Sequence, residues 1–379
     1  MGLPDLRSTV ARTGLSAFAA PLLASGSFSL LATAFGPWLL PRFVIIGAPF
    51  ALAPVNFLGS LLLRHLGTVS RLTTVFLVGT DSEVRSMVRD LDGSHQRPLR
   101  LVGSASLEAI EYAALAEQTQ GANPSLLVLS PTAQLDEVVL AVASEAHRNG
   151  TRVRGRLDFS LEWLGKMPLE ELGLRHLMFD VESVHSVLYN RYKRVLDVAI
   201  SLALLPVFLF ILPFVFFGNL FGNKGPLFFR QSRVGQFGKP FLIVKFRSMK
   251  PIVGNQSEWT VANDPRVTRF GNVLRNYHLD ELPQVWNVLK GELSFIGPRP
   301  EQDHYVEELR HDVGHYDMRN MVKPGLTGWA QVNYAYGATK TDALRKLEYD
   351  LYYIQRQSLS LDLRILARTA RKVVRGTGR

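Results

Sequence analysis

Asp280 and Glu281 are adjacent carboxylates, and two neighbouring negative charges call for a cation nearby. Behind them Leu282, Val285, Trp286 and Leu289 recur at helical spacing. Pro283 suits a first helical turn and Gly291 suits a helix end. The pair is therefore expected at a helix N-terminus, where the positive end of the dipole favours ionised carboxylates. An ionised Asp can attack a phosphoryl group and form an aspartyl phosphate type of intermediate. A neighbouring Glu can hold Mg²⁺ against a diphosphate. Ordinary capping of the helix by Asp280 is the competing reading.

Three arginines shift that balance. Arg247, Arg266 and Arg299 lie beside Ser or Pro in turn-like segments, and Pro298 and Pro300 restrict the backbone around Arg299. A guanidinium fork matches phosphate oxygens two at a time. Lys245 opens the run Lys245-Phe246-Arg247-Ser248-Met249, just after the strand-like Phe241 to Val244. With the carboxylate pair, these cations read as a diphosphate site.

Apolar stretches suggest where that site operates. Leu15 to Leu40 and Phe43 to Leu63 carry no charge, and each is long enough to cross a hydrocarbon core about 30 Å thick. Only Pro41 and Arg42 separate them, so they are expected to form a transmembrane hairpin. Arg7 and Arg12 before it and Arg64 and Arg71 after it place both ends in the cytoplasm. Val198 to Phe217 is a third uncharged stretch, interrupted by Pro206 and Pro213. Its flanks are both basic, with Arg191, Lys193 and Arg194 before and Lys224, Arg230 and Arg233 after. A straight crossing would put one basic flank outside, so a re-entrant helix broken at Pro206 is expected instead.

Between these pieces, strand-like Thr73 to Val78, Leu99 to Val102 and Leu126 to Leu129 alternate with helical patterns. That alternation predicts a Rossmann-like parallel sheet over residues 71–185. The first turn, Gly79-Thr80-Asp81-Ser82, lacks the G-x-G-x-x-G phosphate fingerprint, which favours a scaffold over a dinucleotide site. The expected division is 1–70 for the membrane hairpin, 71–185 for the insert and 186–379 for a mostly α catalytic domain. The fold class is an α/β membrane protein.

Composition agrees with that division. The chain has no cysteine, which excludes disulfides and thiolate chemistry and leaves hard-ion oxygen sites for any metal. A formal net charge of +10 in a chain that is 47% hydrophobic points to anionic lipid and phosphorylated substrates. The basic residues flank apolar stretches rather than lining a recognition helix, which argues against nucleic acid.

The motifs together resemble the bacterial sugar transferase family, also called polyprenyl glycosylphosphotransferases or monotopic phosphoglycosyl transferases. The matching stretches are YKRVLD at 192–197, KFRSM at 245–249, NDPRVT at 263–268, LDELPQ at 279–284, GELSFIGPRP at 291–300, KPGLTGWAQV at 323–332 and YDLYYI at 349–354. The layout is similar to the long form of that family, and Tyr336-Gly337-Ala338 and Asp342-Ala343-Leu344 are similar to its exopolysaccharide branch. Two N-terminal membrane stretches stand where the long form usually carries four.

The resemblance implies a UDP-sugar donor, undecaprenyl phosphate as acceptor and release of UMP. It implies Asp280 as nucleophile, Glu281 as its Mg²⁺-associated partner and Arg299 near the nucleotide. Lys245, Arg247 and Arg266 fall in family motifs that handle substrate, and Pro206 matches the helix-breaking proline. It also implies the cytoplasmic face of the bacterial inner membrane, in contact with its lipids. A homodimer is compatible with the sequence, which does not fix the oligomeric state or name the sugar. An insert that senses a nucleotide above an inert anchor, and an inactive scaffold, are the competing functions. Trp329 and Tyr334 to Tyr336 suit either a membrane interface or a packed core, and Leu361 to Arg375 reads as a basic amphipathic helix on lipid.

Overall fold

Apolar β-branched runs become the strands of the insert. The computed structural model describes residues 73–92, 99–108, 112–171, 186–223, 225–250, 266–334 and 339–374, with Pro54 alone before them. The expected hairpin over 1–70 and the division at 185/186 lie outside these residues. By its contacts the chain forms two compact units, 1–75 with 98–102 and 76–97 with 103–379. The second holds most of the described residues.

Four strands, β1 (Thr73–Gly79), β2 (Leu99–Ser106), β3 (Leu126–Leu129) and β4 (Arg152–Gly155), form one sheet in the order β2-β1-β3-β4. Strands β3 and β4 are parallel, with Leu126 opposite Arg152. Helices α1 (Asp81–Asp92), α2 (Tyr112–Ala122) and α3 (Glu137–Arg148) connect them, which is the expected alternation. Asp136 starts α3 by accepting hydrogen bonds from the Val138 and Val139 amides.

Helix α4 (Val187–Gly222) takes in the third apolar stretch as one run of 36 residues with Pro206 and Pro213 inside it. Its most apolar window has mean hydropathy 2.7 and is only 11% buried. Phe210, Phe214, Phe217 and Phe221 are all at least 60% exposed. A continuous face of exposed phenylalanine is the mark of a non-aqueous neighbour.

The remaining elements surround that helix. A hairpin of β5 (Phe228–Val234) and β6 (Pro240–Phe246) pairs antiparallel, with Phe228 opposite Phe246. Then come α5 (Arg269–Asn276), a 3₁₀ turn at Leu279–Gln284, α6 (Val285–Lys290) and β7 (Ser294–Ile296). After α7 (Asp303–Asp312) and a 3₁₀ turn at Tyr316–Met321, β8 (Gly325–Thr327) pairs parallel with β7. Helices α8 (Trp329–Asn333), α9 (Lys340–Gln355) and α10 (Leu359–Val374) close the chain. A capping box of Thr339 and Asp342 starts α9.

Two sequence readings are narrowed here. Trp329 is 1% exposed and donates its indole N–H to the Gly165 carbonyl at 2.7 Å, so it belongs to the core and not to a membrane interface. Tyr334 also packs against that core. Helix α10 turns Leu361 and Ile365 into the same core and buries Asp362 completely, so much of its apolar face is spent on protein.

The insert is wedged into the catalytic elements. Leu161 and Met167 join the core formed by Val288, Trp329 and Leu347. Beside them lies a buried ionic cluster. Asp90 on α1 pairs with Lys166, with Arg345 at 2.8 Å and with Arg156 at 3.6 Å, and Lys166 also reaches Glu348 at 3.4 Å. Arg345 and Glu348 come from α9. Removing one member of such a buried cluster leaves an uncompensated charge. Lys166→Met is expected to lower the unfolding free energy by roughly 3 kcal/mol in urea titrations of the detergent-solubilised protein.

Candidate active site

Motifs spread along the chain become a single cluster because β6, the 3₁₀ turn and α6 are sewn together by one side chain. Asn287 on α6 is 1% exposed. Its Oδ1 accepts the Val244 N–H at 3.2 Å, and its Nδ2 donates to the Leu242 carbonyl at 2.7 Å and to Glu292 at 2.8 Å. This seam sets the register between the strand that carries Lys245 and the turn that carries the carboxylates.

The turn starts at His278, which sits in the left-handed region at φ +55°. Its carbonyl accepts the Glu281 N–H at 3.2 Å, which opens the 3₁₀ segment. The carboxylate pair therefore lies in a 3₁₀ turn ahead of a six-residue helix, and not in the first turn of a long one. Pro283, inside that segment, supplies no N–H for a regular ladder. Asp280 is not the cap either, since His278 occupies that position without a side-chain bond. Gly291 ends α6 at φ +84°, as its sequence position foretold.

Side-chain cations, more than a helix dipole, hold the charge. Lys245 Nζ lies 2.7 Å from Glu281 Oε1, and Arg299 NH2 lies 3.3 Å from the same oxygen. Burial opposes ionisation of Glu281, but the charges of Lys245 and Arg299 outweigh it and hold the carboxyl well below the usual range. Asp280 goes the other way. Burial and the adjacent Glu281 charge raise it, against Lys245, Arg275 and His278. One carboxylate is firmly anionic and clamped. The other is 9% exposed and more basic than an ordinary Asp. That asymmetry suits a nucleophile beside a fixed anion.

The other expected residues are placed differently. Arg247 is fixed through its backbone, with its carbonyl accepting Asn223 Nδ2 at 2.6 Å. Its guanidinium lies over Gly225, where a Cβ would stand 2.4 Å from NH1. Arg266 accepts the Lys250 N–H through its carbonyl at 2.9 Å. Arg275 and His278 bear on the pair electrostatically and were not singled out by motif reading, although both lie within five residues of Asp280. Asn287 carried no sequence signal beyond its place on a helix.

Helix α4 supports the site from both its ends. Arg194 donates to the Val288 and Leu289 carbonyls of α6, each at 2.6 Å. Asp197 accepts from Ser294 Oγ and from the Phe295 amide, each at 3.0 Å. Farther along, Phe208 stacks on Phe246, the residue after Lys245, with centroids 5.8 Å apart. Pro206 lies just before that contact.

The crevice beyond β1 and β3 is the usual ligand position in an open parallel sheet, because the chain leaves to opposite sides there. In this chain Glu83 fills it. Its carboxylate accepts the Thr80 N–H at 2.9 Å, Thr80 Oγ1 at 3.0 Å and Thr132 Oγ1 at 2.9 Å. Burial pushes Glu83 up, but hydrogen bonds from Ser130, Thr80 and Thr132 prevail and hold it at about 2. The Thr80 and Thr132 donors at this crevice are thus taken up by a carboxylate of the chain itself.

The site is a cluster of carboxylates and cations built against an apolar helix. A profile described as bacterial sugar transferase matches residues 188–376. The chain is 39% identical over 224 residues to a UDP-glucose:undecaprenyl-phosphate glucose-1-phosphate transferase of Xanthomonas campestris pv. campestris, covering 58% of this chain and 45% of that protein. It is 30% identical over 331 residues to an undecaprenyl-phosphate glucose phosphotransferase of Komagataeibacter xylinus, covering 82% of this chain and 61% of that one. It is 40% identical over 153 residues to the uncharacterized sugar transferase EpsL of Bacillus subtilis, covering 40% of this chain and 72% of that one. This chain belongs to the bacterial sugar transferase family. It covers under half of the Xanthomonas protein.

The electrostatics make a signed forecast. A depressed Glu281 adds stability above its unfolded value near 4.5 and loses it as pH falls through the lower folded value. A raised Asp280 costs stability above its folded value, and Lys245 limits that cost. Lys245→Met removes stabilisation at Glu281 and enlarges the cost at Asp280, so both changes lower stability at neutral pH. The melting-temperature gap between wild type and Lys245→Met is expected to be widest at pH 7 and to narrow steadily below pH 4.5.

Proposed function

We propose that this protein transfers a sugar 1-phosphate from a UDP-sugar to undecaprenyl phosphate and releases UMP. The observation that carries the reading is the asymmetric carboxylate pair, with Glu281 clamped by Lys245 and Arg299 beside a buried Asp280. The names of the similar proteins from Xanthomonas and Komagataeibacter support the substrate class.

In the first step a carboxylate oxygen of Asp280 attacks the β-phosphorus of the UDP-sugar. The bond from that phosphorus to the oxygen bridging the two phosphates breaks, and UMP leaves with the electron pair. In the second step a phosphate oxygen of undecaprenyl phosphate attacks the same phosphorus, and the Asp280 carboxylate leaves. Neither step needs a net proton. Desolvation makes Asp280 a stronger nucleophile, and the cations around Glu281 oppose the charge building on the diphosphate.

Among the described residues, both ion pairs of Glu281 fall on Oε1. Its second oxygen and Asp280 offer the hard ligands that Mg²⁺ takes when it keeps waters and substrate phosphates. Bound there, Mg²⁺ would neutralise phosphate charge. Arg299 is assigned to the diphosphate. Arg247 and Arg266 are assigned to the edge of the same site.

The site is assigned to the cytoplasmic face of the bacterial inner membrane, with α4 dipping into the lipid and returning at Pro206. Arg194 and Asn223 support that reading, since near the two ends of α4 they bind the same folded unit. They are 29 residues apart, about 43 Å along a straight helix, which a crossing would place on opposite sides. The transferase is assigned to the initiating step of a surface glycan such as an exopolysaccharide.

UMP release from a panel of UDP-sugars, with Mg²⁺ and undecaprenyl phosphate, tests the reaction. One donor is expected to work, and Asp280→Asn is expected to lower its turnover at least about 10³-fold. Full activity of Asp280→Asn would sink the covalent route. No UMP from any donor would leave a scaffold as the better reading. For topology, the cysteine-free chain allows single labels at Arg191→Cys and Lys239→Cys. Both are expected to react with an impermeant maleimide only after the cells are opened. Labelling of one from outside would mean that α4 spans.

A further inference from the structure

Pro298-Arg299-Pro300-Glu301 has an unusual backbone arrangement. Four consecutive carbonyls each accept a donor from a different direction. The Pro298 carbonyl takes the Gly325 N–H at 2.8 Å, and the Glu301 carbonyl takes the Val234 N–H at 3.0 Å. Between them, the Arg299 carbonyl takes NH2 of Arg319 at 2.9 Å, and the Pro300 carbonyl takes NH1 of Arg233 at 3.2 Å. Two prolines remove N–H groups from this loop, so no regular ladder can hold it. Side-chain guanidinium groups do so instead.

Arg319 is costly to place. It is 6% exposed, and burial of a guanidinium requires matched partners. Asp350, 1% exposed, accepts from the same NH2 at 2.9 Å, and the Tyr316 hydroxyl accepts from NH1. The Tyr316 ring also lies under the guanidinium carbon at 5.1 Å. Arg233 is braced by Gln231 Oε1 at 2.7 Å. Both arginines also face Glu301, at 4.0 and 3.9 Å. A neutral donor would satisfy a carbonyl at less cost. A buried Arg–Asp pair fixes direction as well, because the fork has one geometry.

The side chain held at the centre of this loop is Arg299, which lies 3.3 Å from Glu281 Oε1 and 32% exposed on its open side. The geometry points to Arg319, with Asp350 behind it and Arg233 alongside, as positioning residues that aim Arg299 at the diphosphate. This rests on the assignment of Arg299 made under the proposed function. Arg319 and Asp350 touch neither the carboxylate pair nor substrate; they act through the Arg299 backbone. A displacement of about 1 Å in such a group can cost two orders of magnitude in rate.

Arg319→Lys tests the inference, because it keeps a cation for Asp350 and loses the fork. In wild type it is expected to lower kcat/KM for the UDP-sugar about tenfold. In an Arg299→Lys background, which keeps a cation and residual turnover, the same change is expected to cost less than roughly twofold. Equal losses in the two backgrounds would show a merely structural role and overturn the inference. Unchanged kcat/KM in well-folded Arg319→Lys would overturn it too. If Arg319→Lys does not fold, Arg233→Lys carries the same cycle, since its carbonyl bond lies at the less buried side of the loop. Wild-type activity of Arg299→Lys alone would instead remove the assignment on which the inference stands.

Discussion

The two-cation hold on Glu281 is the contact on which the site depends. Lys245 comes from a strand, Arg299 from a loop between β7 and α7, and Glu281 from a 3₁₀ turn. Three separated segments thus meet at one carboxylate oxygen. An unpaired anion at that depth would shift its pKa or draw in water. Paired, it keeps its charge and leaves the neighbouring Asp280 as the group that pays the electrostatic cost of proximity. The difference between the two carboxyls is therefore produced by the placement of cations and not by the residues' own chemistry.

Helix α4 ties the site to a long, exposed apolar face. Its exposed phenylalanines need an apolar medium, while its polar residues point back into the catalytic elements. Arg194 and Asp197 hold α6 and β7, and Asn219 and Asn223 hold the chain just before and after β5 and β6. Phe246, stacked between Phe208 and Phe228, joins the helix to the strand that bears Lys245.

The insert is a four-stranded sheet with helices between its strands. Glu83 satisfies the loop donors that a phosphate would otherwise attract. Its last segment contributes Leu161, Met167 and the Gly165 carbonyl to the catalytic core. The ionic cluster around Asp90 and Lys166 crosses from insert to α9.

The chain order of the elements was legible without coordinates, because periodicity and turn residues act over a few positions. The strands at Thr73, Leu126 and Phe241 and the Gly291 stop all lie where local pattern puts them. So does the identity of Asp280, Glu281, Lys245 and Arg299, whose residue types carry the chemistry. What the sequence alone could not determine is which cation meets which carboxylate. That needed the Asn287 seam and the carbonyl clamp by Arg319 and Arg233, contacts between residues 20 to 67 positions apart. It also left open whether Trp329 packs in the core, and it could not show that α10 lays Leu361 and Ile365 on protein, since an amphipathic face looks the same whether protein or lipid covers it. Local pattern fixes what a segment can bury; only the tertiary fold decides against what.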